Sequence, residues 1–148
     1  MTTTTHSEYG LLKSVFIKKV KDAFIDQSTI AQNWEDLNYL GEPKLEIATE
    51  EYQKFIDLLQ QQGTIIHFLP EDDSVGMDSM YCRVAAIVTD AGVILCNMGK
   101  AQRVPEPEAE RKAFEQLRIN LLGTIESPGT IEGGDVAWLD EKTLAIAH

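Results

Sequence analysis

Ala85-Ala86-Ile87-Val88-Thr89-Asp90-Ala91-Gly92-Val93-Ile94-Leu95-Cys96-Asn97-Met98 reads as two apolar runs joined at Asp90-Ala91, with Gly92 supplying freedom at the turn. Short β-branched runs around such a turn are the pattern of a β-hairpin. Upstream, Glu46 to Gln62 reads as a helix. Tyr52, Phe55, Ile56 and Leu59 share one face and Gly63 gives the stop. Thr64 to Leu69 follows as a strand ended by Pro70, then the acidic loop Glu71 to Gly76. Downstream, Pro105 and Pro107 introduce a helix over Glu108 to Leu122, with Ala109, Ala113, Leu117 and Leu121 on one stripe and Gly123 as its stop. Asp135 to Leu139 and Thr143 to Ala147 make a last hairpin, and Leu11 to Ile17 a first strand. Lys18 to Glu42 reads as a loop with a short helical pattern around Thr29 to Leu37. Glu46 to Met98 and Glu108 to His148 thus run through the same order of elements, which predicts a modular α/β architecture of repeated units.

A chain of 148 residues, 43% apolar, suffices for one domain. No apolar run approaches the ~20 residues needed to cross a bilayer, and the first six residues read as a disordered tail without secretory character. A formal charge of −11 argues against nucleic acid or an anionic membrane as partner. No Gly-rich nucleotide fingerprint is present. Cys82 and Cys96 fit neither a disulfide framework nor a metal pattern, and read as buried thiols of a cytoplasmic protein. His67, in an apolar run, reads as a core histidine, and Trp34 as a plug or part of a lid.

Three charged residues stand at the ends of apolar runs: Asp78, Arg103 and Glu132. Two carboxylates and a guanidinium suit a ligand that itself has a guanidinium and a carboxylate, because a planar guanidinium pairs with carboxylate oxygens in a two-pronged fork. Plainer readings stand beside this one. Asp78 would cap a turn with Ser79, Arg103 would be a surface cation, and Glu132-Gly133-Gly134 would be an ordinary turn.

With these residues in view the chain resembles the N-terminal half of the guanidino-group-modifying enzymes, among them amidinotransferases, arginine deiminases and dimethylarginine dimethylaminohydrolases. The likeness lies in Ser7 to Val15, in Asp78-Ser79-Met80-Tyr81-Cys82-Arg83 followed by Ile94 to Lys100 and Arg103, and in Glu132-Gly133-Gly134-Asp135. It implies the pentein fold, a five-bladed α/β propeller of ββαβ-type units, of which residues 7–148 would form about half. It also implies that Glu132 binds and positions a substrate guanidinium, that Asp78 lies on the substrate-binding loop, and that Arg103 holds the substrate carboxylate. Gly133 and Gly134 would let backbone approach the ligand, and Asp135 would support the site by hydrogen bonding. The family's nucleophile is a cysteine, so no metal or organic cofactor is implied. Family members are about twice as long, with catalytic histidine and cysteine in the other half. The family also usually has an Asp where this chain has Val84, and losing such a partner costs about 2–4 kcal/mol.

The expectation is therefore an inactive N-terminal fragment of a hydrolase or amidinotransferase acting on arginine-like compounds. The alternative is a standalone non-catalytic module that binds a guanidino compound, and a generic α/β interaction domain is a third reading. An incomplete propeller would expose strand edges, so self-association into a homo-oligomer is expected.

Overall fold

The computed structural model describes residues 10–147, which fall into two units, Leu12–Tyr81 and one made of residues 10–11 together with 82–147. The expected tail at residues 1–6, the first part of the Ser7 to Val15 segment and His148 lie outside the described residues.

In the first unit, strand β1 (Ser14–Ile17) pairs in parallel with β2 (Ile65–Phe68), in register from Ser14 opposite Ile65 to Ile17 opposite Phe68. A parallel pair needs a long crossover. Here it contains helices α1 (Val20–Phe24), α2 (Gln27–Asn33) and α3 (Leu45–Gln61). The Lys18 to Glu42 connection is thus more helical than its sequence suggested, and its second helix starts two residues before Thr29. Asp26 caps α2 by accepting from the Thr29 N–H at 2.7 Å. Val20, Ala23, Phe24, Ile30 and Met77 form a buried cluster against which Leu37, Tyr39, Leu45 and Tyr52 pack.

α3 lacks a capping side chain of its own. Gln27 supplies one from α2: its Oε1 accepts from the Leu45 N–H at 3.0 Å, and its Nε2 donates to Glu42 and to the Pro43 carbonyl. The helix ends at Gly63, whose φ of +75° lets the Thr64 N–H reach the Leu59 carbonyl and the Gly63 N–H reach that of Gln60. This pair of bonds is a Schellman stop. His67 is half-buried and stands opposite Phe16, the ring centroids 5.3 Å apart.

In the second unit, β3 (Ala86–Thr89) and β4 (Gly92–Leu95) form the expected antiparallel hairpin, Thr89 opposite Gly92. Gly92 has φ +150°, and a Cβ there would lie 2.2 Å from the Asn120 carbonyl oxygen, so the position requires glycine. The same Asn120 carbonyl accepts from the Val93 N–H at 2.9 Å.

The second long helix corrects the sequence reading. α4 is Glu106–Gln116, and the segment expected to carry its C-terminal turns instead forms strand β5 (Leu121–Thr124), parallel to β4. The stop is not Gly123. Arg118 adopts φ +56°, with its N–H on the Glu115 carbonyl and the Ile119 N–H on that of Phe114. These are again the two bonds of a Schellman stop, built on a non-glycine residue that gives no sequence signal. The sheet order is β3-β4-β5, so β3, β4, α4 and β5 make a complete ββαβ unit. Strands β6 (Val136–Trp138) and β7 (Leu144–Ile146) form the last hairpin, and Trp138 donates from Nε1 to the Val88 carbonyl at 3.2 Å. Ala85, Ile87, Cys96, Met98 and Val136 form the buried cluster of this unit. Among the described residues no helix is long and apolar enough to cross a membrane.

Candidate functional site

None of the three candidate residues sits at a strand end. Each lies in or beside a one-turn 3-10 helix: Asp78 within Met77–Met80, Arg103 at the end of Ala101–Arg103, and Glu132 immediately before Gly133–Asp135. Such turns are too short to carry a periodic signal.

Asp78 belongs to the first unit and is buried, between Met77 and Ser79, which are also buried. The buried Tyr39 hydroxyl lies near it. That phenol is pushed well above its usual range, first by burial and then by Tyr81 and Asp78.

Arg103 and Glu132 belong to the second unit. Arg103 is not a surface cation. It is 7% exposed and closes a two-pronged ion pair with Glu106, Nε to Oε1 at 2.9 Å and Nη2 to Oε2 at 2.6 Å. Glu106 is 3% exposed and Glu110, one helical turn further on, 6%. Fully buried acids are rare unless paired, and a fork–fork pair is the geometry that makes burial tolerable. Sequence reasoning passed over both glutamates. Their signal was available: Glu106 follows Arg103 by three positions, and Glu106, Glu110 and Ala113 recur on the helix face that carries Phe114.

The Glu132 carboxylate accepts the Gly99 N–H at 3.2 Å, so it rests at the head of the segment that ends in Arg103. Asp135 accepts the backbone N–H of Glu132 at 2.9 Å, and the Asp135 N–H returns to the Glu132 carbonyl at 2.9 Å. The turn is locked from both ends. Asn97 adds a third tie, accepting the Ile131 N–H at its carbonyl and donating from Nδ2 to the Gly129 carbonyl.

Gly133 is buried, and a Cβ placed on it would stand 1.9 Å from the Arg83 carbonyl oxygen. The backbone that approaches it closely is the protein's own. Gly134 is exposed, and a Cβ there would stand 3.8 Å from Val84, ordinary contact. Val84 thus lies beside the Glu132 loop and packs its methyls against the apolar cluster of Ala85 and Cys96.

The two cysteines differ. Cys82 is only half-buried, against expectation, because it lies in the turn Cys82–Val84 rather than in the hairpin. Cys96 is buried, and its thiol is pushed up to about 12 by burial first, then by the charges of Glu110, Glu132 and Asp135. A raised thiol pKa stabilises the fold fully below the unfolded value, near 9, and that contribution is lost as pH rises from about 9 to about 12. Iodoacetamide at pH 8 is expected to label native Cys82 and spare Cys96, read by mass spectrometry; rapid labelling of native Cys96 would contradict its burial. Among the described residues, no group of three or more His, Cys, Asp or Glu side chains is placed to hold a metal ion.

No family model matches the chain. It is 28% identical over 99 residues to the N(G),N(G)-dimethylarginine dimethylaminohydrolase of Pseudomonas aeruginosa, an alignment covering 67% of this chain and 39% of that protein. The chain therefore spans well under half the length of this curated relative. Its structure superposes on the dimethylarginine dimethylaminohydrolase of the same organism complexed with citrulline, with a TM-score of 0.69 and 23% identity over 87% of this chain and 48% of that one. An amidinotransferase from Microseira wollei superposes with a TM-score of 0.60 and 14% identity, over 90% of this chain and 54% of that one. The superpositions bear on the fold, and the sequence match to the P. aeruginosa enzyme runs beside them. The sequence match to the P. aeruginosa enzyme and the shared α/β fold together support the likeness to the guanidino-group-modifying enzymes.

Proposed function

We propose that this chain recognises a guanidino compound, with Glu132 as the carboxylate that pairs with the ligand guanidinium. The observation that carries the reading is the Glu132 turn: a carboxylate anchored by the Gly99 N–H, its backbone fixed by Asp135, in a chain related to a dimethylarginine dimethylaminohydrolase. A carboxylate held in place before the ligand arrives loses little entropy on binding, and it orients a planar cation by charge-assisted hydrogen bonds. Asp78 is proposed as a substrate-binding carboxylate on the loop of its own unit. The carboxylate-holding part expected of Arg103 would require its fork to leave Glu106.

The ββαβ unit formed by β3, β4, α4 and β5 is the repeat of the propeller reading, and we extend that reading to the whole fold. Turnover by these 148 residues is not expected. Cys96 is buried with its thiol held neutral, and Val84 puts methyls where the family usually has a carboxylate. The chain then acts as a binding portion of such an enzyme or as a standalone binding module. Self-association is proposed from β5, a strand with a single neighbour in its sheet, where Leu121 and Leu122 are 40% and 45% exposed. Light scattering at micromolar concentration is expected to give a mass of at least two chains, and a clean monomer would remove this part of the proposal.

Calorimetric titration with arginine derivatives tests the reading. The wild-type chain is expected to bind a guanidinium ligand and to release no citrulline or amine. Glu132→Gln is expected to weaken binding at least about tenfold, the effect of losing one charged hydrogen-bond partner. Equal binding by the variant would reject Glu132 as the recognising group.

A further inference from the structure

Lys18 is 2% exposed, although a lysine ordinarily keeps its ammonium in water. It stands one residue beyond β1, and its Nζ donates to the Pro70 carbonyl at 2.5 Å. The Ile17 carbonyl accepts the Leu69 N–H at 2.9 Å, so the lysine adds its bond just past the end of the β1–β2 ladder. Burying an ammonium is unfavourable, and an apolar side chain of similar length would fill the space without that cost. What the ammonium contributes is the charge-assisted bond to Pro70.

At Pro70 the chain leaves the sheet for the acidic loop that leads to Asp78. Within that loop Asp72 accepts the Ser74 N–H at 3.0 Å and the Ser74 hydroxyl, and its carbonyl takes the Val75 N–H. At the far end Met77, 1% exposed, packs in the cluster of Val20, Ala23 and Phe24. Those three belong to α1, which starts two residues after Lys18. One segment, 18–24, thus holds the loop at both ends, by charge at Pro70 and by packing at Met77.

We propose that Lys18 is a positioning residue for Asp78: by fixing the Pro70 carbonyl it sets where the Asp78 loop presents its carboxylate to a ligand. The inference rests on the reading of Asp78 as a substrate-binding carboxylate. A group ordered before the ligand arrives loses less freedom on binding. Cutting the clamp frees one end of the loop, and affinity falls although Asp78 itself is unchanged.

Calorimetric titration with argininamide, arginine with its carboxylate replaced by a neutral amide, tests this on four chains checked for folding by circular dichroism. They are the wild type, Lys18→Met, Asp78→Asn and the double variant. Each single change is expected to weaken binding at least about fivefold, and the double variant to bind within about twofold of Asp78→Asn, because a residue acting through Asp78 then has nothing left to position. A purely structural lysine would not give that non-additivity. Unchanged binding by folded Lys18→Met, or losses that multiply in the double variant, would overturn the proposal while the Asp78 reading stands. Unchanged binding by Asp78→Asn, or no binding by the wild type, would overturn the reading and the proposal with it. The wild type gives a further readout where Lys18→Met does not fold. Its Lys18 Nζ is expected to show a separate, slowly exchanging ammonium signal in proton–nitrogen spectra with and without ligand. An ammonium exchanging as fast as surface lysines would show the clamp open and overturn the proposal.

Discussion

Glu106→Leu is expected to lose about 3–5 kcal/mol of stability, measured by urea unfolding, which is the cost of removing one partner of a buried ion pair. The leucine would fit an apolar helix face, so a simple hydrophobic count predicts a gain. The charge left behind decides the sign. Arg103 is 7% exposed and donates two bonds to the lost carboxylate, so its guanidinium would stay buried with both of those bonds gone. The double variant Arg103→Met with Glu106→Leu is expected to recover more than half of the loss, since apolar replacement of a whole buried pair is often neutral. If the single variant is as stable as the parent, the pair is more open to water than its geometry implies.

Gly133→Ala is expected to cost more than about 3 kcal/mol, beyond ordinary overpacking. A methyl there would stand 1.9 Å from the Arg83 carbonyl oxygen and 3.2 Å from that of Ala86, both backbone atoms that cannot rotate away. The turn would have to move off Arg83, disturbing the Glu132 and Asp135 bonds as well. Gly134→Ala is the control. Its added methyl meets only Val84 at 3.8 Å, so a change within about 0.5 kcal/mol is expected, as at ordinary surface sites. Thermal unfolding of the two variants side by side checks the contrast, and equal midpoints would contradict it.

Much of this fold was legible in the residues. The 85–98 hairpin, the α3 face with its Gly63 stop and the final hairpin all follow from patterns of period two or 3.6 punctuated by glycine and charge. The exception at α4 has a physical cause. Its left-handed stop is Arg118, and Gly123 downstream drew the boundary to itself although it lies inside β5. With β5 hidden, the second repeat lacked the strand that completes its ββαβ unit. In α1 the apolar positions Val20, Ala23 and Phe24 had helical spacing, but five residues are too few to separate from a loop by pattern alone.

At the site, the turn of Glu132 was legible through Gly133 and Asp135, and Arg103 as a residue of interest through its order after the hairpin. The ion pair was not. Reading Glu106 required treating an acid in the first turn of a helix as a core residue, against the usual preference of glutamate for water. Only the burial of Arg103 shows that the two belong together.

The central claim is that Glu132 meets a guanidinium on the turn held by Gly99 and Asp135. The most direct measurement is an amide NMR titration of the labelled chain with argininamide. The account predicts saturable shifts at the Gly99 and Asp135 amides that Glu132→Gln abolishes. Ligand binding that leaves both amides unmoved, or no shift anywhere at millimolar ligand, would contradict it.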